Sequence, residues 1–406
     1  MRPATGFPAW PANGKAKMLA VGAPARTSGN LLITGRCSPT TANRFAAVKA
    51  GVASWTNTLF AAWGANLPAV LALSATNWFV IDRVSQPGFG ADTTTYVKYT
   101  KTAGAAWADL VRPTGDDYFW VDFAADAGGR LWGLALDSHT AHAGSYCSTR
   151  LYYSDDGGDN WTQVQEWLNT AGTSNIYRMC HIVCHPTNQN IIAILGWGKY
   201  NYGWRTLWSV DRGAIFGQND SNRASDSYPD IGWRVKPVML ASGRIVWMSI
   251  MADGGTHMHI DISDDYGANW SQRLVLAGTQ YVTGIAHDLL GSKLFIGDGH
   301  VGANPGRVYW STDQALTWTA MDNDVAYGTN DPLNGGLAYD QATDSLFALH
   351  DANSGTNSQT VVKMSPIAQD GTWTDDVTDA LLPIGGQVKF LHVSNIPGMA
   401  IAVIPR

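Results

Sequence analysis

The sequence predicts an all-β chain, a seven-bladed β-propeller of four-stranded antiparallel blades closed by joining C-terminal strands to N-terminal ones. Three observations carry this. Seven aromatic residues recur almost periodically, Trp55, Trp107, Trp161, Phe216, Trp270, Trp318 and Trp373, at intervals of 52, 54, 55, 54, 48 and 55 residues; such a period marks a repeat architecture. Composition argues against helices: Glu166 is the single glutamate among 33 acidic residues, and Gly, Thr, Asn and Trp are abundant, as in chains built from strands and turns. Each repeat also resolves into four short strand-like segments, which cannot bury both faces alone but do so when packed around an axis.

Along the chain, Met18 to Gly22 and Leu31 to Gly35 read as strand-like but are assigned to an N-terminal extension, residues 1–35, with the propeller occupying 36–406 as one domain. Arg44 to Lys49 and Ser54 to Thr58 read as the third and fourth strands of a composite blade. Its first and second strands are expected at Gln387 to Ser394 and Met399 to Arg406. The fifth repeat shows the internal pattern best: Val235 to Leu240, Arg244 to Ile250, His257 to Ile262 and Trp270 to Leu274.

A short motif joins the third and fourth strands. It reads S-x-D-x-G-x-x-W at Ser154, Asp156, Gly158, Trp161 and at Ser263, Asp265, Gly267, Trp270. Ser209, Asp211, Gly213 and Phe216 change only the aromatic, and Ser311, Asp313, Ala315 and Trp318 lose the glycine. The copies ending at Trp55, Trp107 and Trp373 are eroded. The Asp accepts hydrogen bonds from turn N–H groups, Gly tolerates positive φ, and the aromatic fills the gap between sheets. The motif is therefore expected to fold a hairpin rather than to perform chemistry. These residues resemble the Asp boxes of the sialidase-like, BNR-repeat β-propellers over residues 45 to about 375. That family resemblance spans hydrolases, sorting receptors, assembly factors and phage tail proteins, so it implies an architecture and no single activity.

A net charge of -6 and a pI near 5.9 argue against a nucleic-acid-binding face. No stretch reaches membrane-spanning length, and Met1 to Lys17 lack the apolar core of a signal peptide. The expected product is made in the cytoplasm without a signal peptide and does not insert into membranes.

Four cysteines raise a metal reading, which spacing weakens. In the segment Tyr177 to His185, Cys180 and Cys184 share one strand face roughly 13 Å apart at about 3.3 Å per residue, as do His181 and His185. One ion cannot bridge either pair at ligand distances near 2 Å. No metal and no cofactor are expected, and Cys37 and Cys147 have no sequence-local partner.

If the Asp boxes lie on one face, the loops between second and third strands and the linkers between blades emerge on the other. The ends of the second strands there carry Asp82 and Arg83, Asp137 with His139, Lys199 with Tyr200, Asp298 with His300, and His350 with Asp351, while linkers add residues such as Asp117 and Tyr118. Convergent loops on a rigid ring are a usual place for a ligand. A sialidase-like mechanism, as the resemblance implies it, needs an arginine cluster, an Asp acid and a Tyr activated by a Glu. Glu166 lies five residues after Trp161, in the outer strand or the linker beyond, so the Tyr–Glu requirement is expected to go unmet. A two-carboxylate hydrolase would draw on Asp137, Asp298 and Asp351, and a lyase on His139, His181 and Tyr200.

The leading expectation is non-catalytic. An acidic chain with almost no glutamate and no recognisable catalytic set resembles bacteriophage virion proteins, whose propellers serve as rigid rings, docking platforms or receptor-binding heads. That resemblance implies a virion or extracellular location, partners among other virion proteins or a host-surface glycan or receptor, and an oligomeric assembly. A carbohydrate-active enzyme, a glycoside hydrolase or polysaccharide lyase, is the alternative.

Overall fold

The computed structural model describes residues 31–36, 44–50, 54–60, 67–83, 96–111, 113, 118–137, 148–168, 175–199, 204–221, 235–252, 256–277, 281–299, 307–321, 337–341, 344–351, 360–366, 374–377 and 399–403. Every regular element among them is a strand. In chain order these are β1 (Leu31–Arg36), β2 (Arg44–Ala50), β3 (Ser54–Phe60), β4 (Leu67–Ala72), β5 (Trp78–Arg83), β6 (Tyr96–Thr100), β7 (Ala108–Asp109), β8 (Tyr118–Ala125), β9 (Leu131–Asp137), β10 (Thr149–Ser154), β11 (Thr162–Trp167), β12 (Asn175–Cys184), β13 (Ile192–Lys199) and β14 (Trp204–Ser209). They continue with β15 (Gly217–Ser221), β16 (Val238–Met239), β17 (Ile245–Ala252), β18 (Thr256–Ser263), β19 (Ser271–Ala277), β20 (Tyr281–His287), β21 (Leu294–Gly299), β22 (Arg307–Ser311), β23 (Thr319–Ala320), β24 (Leu337–Asp340), β25 (Ser345–Asp351), β26 (Thr360–Pro366), β27 (Thr374–Val377) and β28 (Met399–Val403).

Strand pairing is antiparallel throughout and joins consecutive strands into four-stranded sheets, β4–β7, β8–β11, β12–β15, β16–β19, β20–β23 and β24–β27, with a composite sheet ordered β28-β1-β2-β3. First strands lie innermost: β8 rests against β12, β20 against β24, and β28 against both β24 and β4. The all-β propeller class holds, and the expectation of a seven-bladed propeller is corrected in two respects. Only five sheets, β4–β7 through β20–β23, are described as complete blades with packed side-chain cores. The sheet β24–β27 adds Leu337 and Leu346 to its seam with the preceding blade, and the composite sheet is described by its strand ladder. In sequence these last two correspond to the eroded copies, the shortened Asp370, Gly371, Trp373 and the copy ending at Trp55 that keeps little more than the ring.

The closure differs too. Met399 to Val403 is the first strand, not the second, and Leu31 to Arg36 takes second place by pairing Leu31 with Val403 and Ile33 with Ile401. One C-terminal strand therefore joins three N-terminal ones. A two-plus-two split would have left the apolar Leu31–Ile33 run without a ladder, and unpaired backbone in an apolar setting is costly. The sheet thus reaches back into the stretch expected to be extension; Met18 to Gly22 and Gln387 to Ser394 lie outside the described residues.

Side-chain hydroxyls and carboxylates fold the turns between third and fourth strands. At Ser154 the hydroxyl donates to Asp156 at 2.7 Å and accepts from Gly158 N–H at 2.8 Å, while Asp156 accepts from the amides of Asp159 and Asn160, both at 3.0 Å. The same Ser and Asp bonds recur at Ser209/Asp211, Ser263/Asp265 and Ser311/Asp313. Gly158 and Gly267 sit at φ +102° and +101°, where an L side chain is strained. At Gly267 a Cβ would also fall 2.2 Å from Thr206 Cγ2 of the preceding blade.

Each turn's aromatic then fills a seam. Trp161 lies 4.6 Å from the Trp120 ring and 5.6 Å from Phe123, in a cluster that Phe79 and Ile81 of β5 complete. Phe216, Trp270 and Trp318 pack at the three following seams. Charged side chains also tie neighbouring blades together on the turn face: Lys101 reaches Asp159, Arg212 reaches Asp126, Arg244 reaches Gln314 O, and Lys293 reaches Asp344.

Candidate functional site

The backbone places the expected ligand-face residues at equivalent positions. Asp82 and Arg83 end β5, Asp137 ends β9, Lys199 ends β13, Asp298 lies one residue before the end of β21, and His350 and Asp351 end β25. Antiparallel order puts all of these ends on the face opposite the Ser–Asp turns, because each second strand runs away from its own first hairpin. His139, Tyr200 and His300 lie outside the described residues.

Beside one of these ends is a polar triad that the sequence expectation missed. Tyr118 opens β8 as the ladder partner of Asp137, its hydroxyl donates to Glu166 Oε1 at 2.8 Å, and Arg150 Nε donates to the same oxygen at 2.8 Å. The Arg150 guanidinium also stacks 3.7 Å from the Tyr118 ring centroid. A Tyr–Glu hydrogen bond therefore exists in this blade. Glu166 does lie in the outermost strand, but one sheet face carries Trp120, Ala135, Arg150 and Glu166 in a row across four strands. Small Ala135 leaves room over the sheet, and the long tyrosine and arginine side chains bridge the remaining width. Forty-eight residues separate Tyr118 from Glu166, so no local pattern announces the pair.

The triad ties the first, third and fourth strands of one blade together. The Arg150 guanidinium and the Tyr118 hydroxyl both donate to the same Glu166 oxygen, so one carboxylate oxygen serves two donors. Burial is the largest influence on Arg150 and opposes its charge, yet hydrogen bonds to Glu166 and Tyr152 outweigh it and the guanidinium is held more firmly protonated.

A second polar cluster sits at the innermost strands. Asp122 of β8 is buried, and its Oδ2 accepts from the Ile182 amide of β12 at 3.0 Å and from Lys236 Nζ at 3.1 Å. Lys236 also donates to Phe123 O, and His181 Nδ1 lies 3.8 Å from Asp122 Oδ2. Innermost strands present one unpaired edge to the axis. Here a carboxylate covers an edge N–H and an ammonium covers an edge C=O. Both first strands carry irregularities at this level, between Trp120 and Asp122 and between Met179 and His181, and a bulge re-aims the side chains around it.

The cysteine readings can be placed as well. Cys180 and Cys184 are thiols outside any disulfide; Cys180 Sγ donates to Leu195 O at 3.4 Å, and burial pushes the Cys184 thiol well up. Among the described residues no three His, Cys, Asp or Glu side chains converge as a metal set.

No family model and no curated protein matches the chain. Solved propellers do. YCF48 bound to a D1 peptide is 12% identical with a TM-score of 0.49, covering 92% of this chain and 100% of its own. A Hadza microbial sialidase, Hz136, is 13% identical with a TM-score of 0.43, over 86% of this chain and 82% of the sialidase. The GH93 α-L-arabinofuranosidase of Fusarium graminearum with arabinobiose is also 13% identical, with a TM-score of 0.44, over 75% and 94%. The neighbours are sialidase-like propellers and relatives of mixed function. At such identities and TM-scores they supply no argument about a substrate or catalytic residue of this chain, which must come from the site itself.

Proposed function

We propose that this protein is a non-catalytic β-propeller that binds a carbohydrate or a glycosylated receptor on the face built by its second-strand ends. The observation that carries the reading is the shared placement of Asp82, Arg83, Asp137, Lys199, Asp298, His350 and Asp351 at equivalent ends of five strands. A ring of carboxylates, cations and imidazoles on rigid strands suits the hydroxyl groups of a sugar, each of which both donates and accepts. The finer reading, a rigid component of a virion that docks to other particle proteins or to the host surface, rests on the acidic, nearly glutamate-free composition. The test is a glycan-array screen followed by titration of the strongest hit against Asp137→Ala and Asp298→Ala. Loss of binding with unchanged melting supports the face; unchanged affinity in both variants removes it.

A second reading, glycoside hydrolysis with Tyr118 as nucleophile, is favoured by the Tyr118–Glu166 hydrogen bond beside Asp137. It would require the pair to open toward a ligand. Turnover of an aryl glycoside that Tyr118→Phe abolishes would establish it.

A further inference from the structure

The face that carries the Ser–Asp turns is not uniformly polar, and the repeat supplies its own control. Two turns read S-D-D-G-G-D-N-W (Ser154 to Trp161) and S-D-D-Y-G-A-N-W (Ser263 to Trp270). In both, the Asn preceding Trp donates its side-chain amide to the motif Asp, at 2.7 Å from Asn160 and 2.6 Å from Asn269. At the Ser209 turn that position is Ile215, which forgoes the bond and stands 73% exposed, with Val210 exposed beside it. At the Ser311 turn Leu316 is 40% exposed, and Leu289 and Leu290, in the first hairpin of the same blade, are 51% and 58% exposed.

The two turns that carry these leucines meet on one blade, β20–β23. Gly291, next to Leu290, accepts a hydrogen bond from the Gln314 amide at 3.2 Å, and Leu316 follows two residues later. The turns are anchored to the preceding blade, since Leu289 O accepts from Ala241 N–H and Gln314 O accepts from Arg244. Around them four carboxylates, Asp264, Asp265, Asp313 and Asp344, outnumber two cations, Arg244 and Lys293. Asp264 and Asp344 are paired with Arg244 and Lys293, whereas Asp265 and Asp313 are held by hydroxyl, amide and side-chain hydrogen bonds from Ser263 and Asn269 and from Ser311 and Thr317.

We propose that Leu289, Leu290 and Leu316 form a docking surface for a partner protein segment that presents lysine or arginine beside apolar side chains. Charge decides among occupants. A second copy meeting this face about a two-fold axis would bring its own Asp265 and Asp313 against those of the first, and like charges opposed at an interface are unfavourable. A basic segment instead finds carboxylates around an apolar centre, the arrangement of a polar rim about a buried core. The inference is independent of the opposite face: a ring that binds a ligand at one end and a basic partner at the other is a two-ended adaptor.

The test uses the full chain and a labelled peptide of alternating lysine and leucine, with a glutamate–leucine peptide as control, followed by fluorescence anisotropy. The Lys–Leu peptide is expected to bind and to weaken about tenfold or more in the triple variant Leu289→Ser, Leu290→Ser, Leu316→Ser. Leu168 is an exposed leucine of a different blade, directly after β11, so Leu168→Ser serves as the matched surface control and should leave binding unchanged. Equal binding by the parent and the triple variant overturns the proposal, as does no binding by the parent. Sedimentation of the parent as a dimer that the triple substitution dissociates would also overturn it, by making a second copy the occupant.

Discussion

Tyr118 donates its hydroxyl hydrogen bond to Glu166 at 2.8 Å while Arg150 holds the same carboxylate oxygen, so the chain's one glutamate joins the innermost and outermost strands of a single blade. Arg150 of the third strand completes the link across the blade. Glu166→Gln should lower stability by about 1.5 to 3 kcal/mol, the range for a hydrogen bond to a charged group, because Arg150 loses its counter-ion while still stacked on Tyr118. Urea unfolding measures the loss, and ligand binding should persist in the folded variant. A collapse of turnover with unchanged stability would instead assign Glu166 to catalysis.

Trp161→Ala is expected to cost about 3 to 5 kcal/mol as a large-to-small substitution in a packed seam. The ring touches Trp120 and Phe123 and donates its indole N–H to Gly158 O at 3.0 Å. Asp156→Ala, by contrast, removes exposed turn bonds that contribute roughly 0.5 to 1.5 kcal/mol each, nearer the low end because water replaces them. Denaturant midpoints of the two variants check the order. A costlier Asp156→Ala would mean that the turn, rather than the seam, limits stability.

The seam aromatics Trp161, Phe216, Trp270 and Trp318 and the second and third strands of the fifth repeat are legible in the sequence because each is a local pattern, whereas the expected first strand there shortens to Val238–Met239. The Thr100 copy hides its motif for a chemical reason. Thr100 Oγ1 accepts from Gly104 N–H at 3.1 Å and Thr102 Oγ1 accepts from Ala106 N–H at 2.9 Å, so two hydroxyls do the work of Ser and Asp, and T-x-T-x-G-x-x-W is a readable variant. Other features have no local signal. Whether Met399 to Val403 is a first or a second strand depends on which edge of Leu31 to Arg36 it pairs with, and the Asp122–Lys236 contact spans 114 residues.

Acid should weaken the fold before its carboxylates titrate. Burial holds the imidazole of His287 below its ordinary value, only partly offset by its contact with Asp288 O at 2.7 Å, and burial lowers His185 likewise. Below the unfolded-state value near 6.5, the unfolded chain takes up protons that the folded chain resists, so stability falls as pH drops from about 6.5. His287→Gln should flatten part of that slope in urea titrations between about pH 7 and pH 5. An unchanged slope in the His185, His287 double Gln variant would place the acid sensitivity elsewhere.

Asp122 and Lys236 offer the sharpest test of how the ring is held at its axis. Removing the acid alone, Asp122→Ala, leaves the buried Ile182 amide without its acceptor, while the partly exposed Lys236 ammonium keeps Phe123 O and access to water, so the cost should be about 1 to 3 kcal/mol. Lys236→Met keeps the aliphatic stem but leaves the buried Asp122 carboxylate without its counter-ion, so its cost should be the larger of the two. The double variant should then be less destabilised than the sum of the two, since neither charge remains to be stranded. Urea unfolding of all four proteins gives the cycle. Additive losses would mean that the two side chains act separately and that the axial clamp across three blades is not an energetic unit.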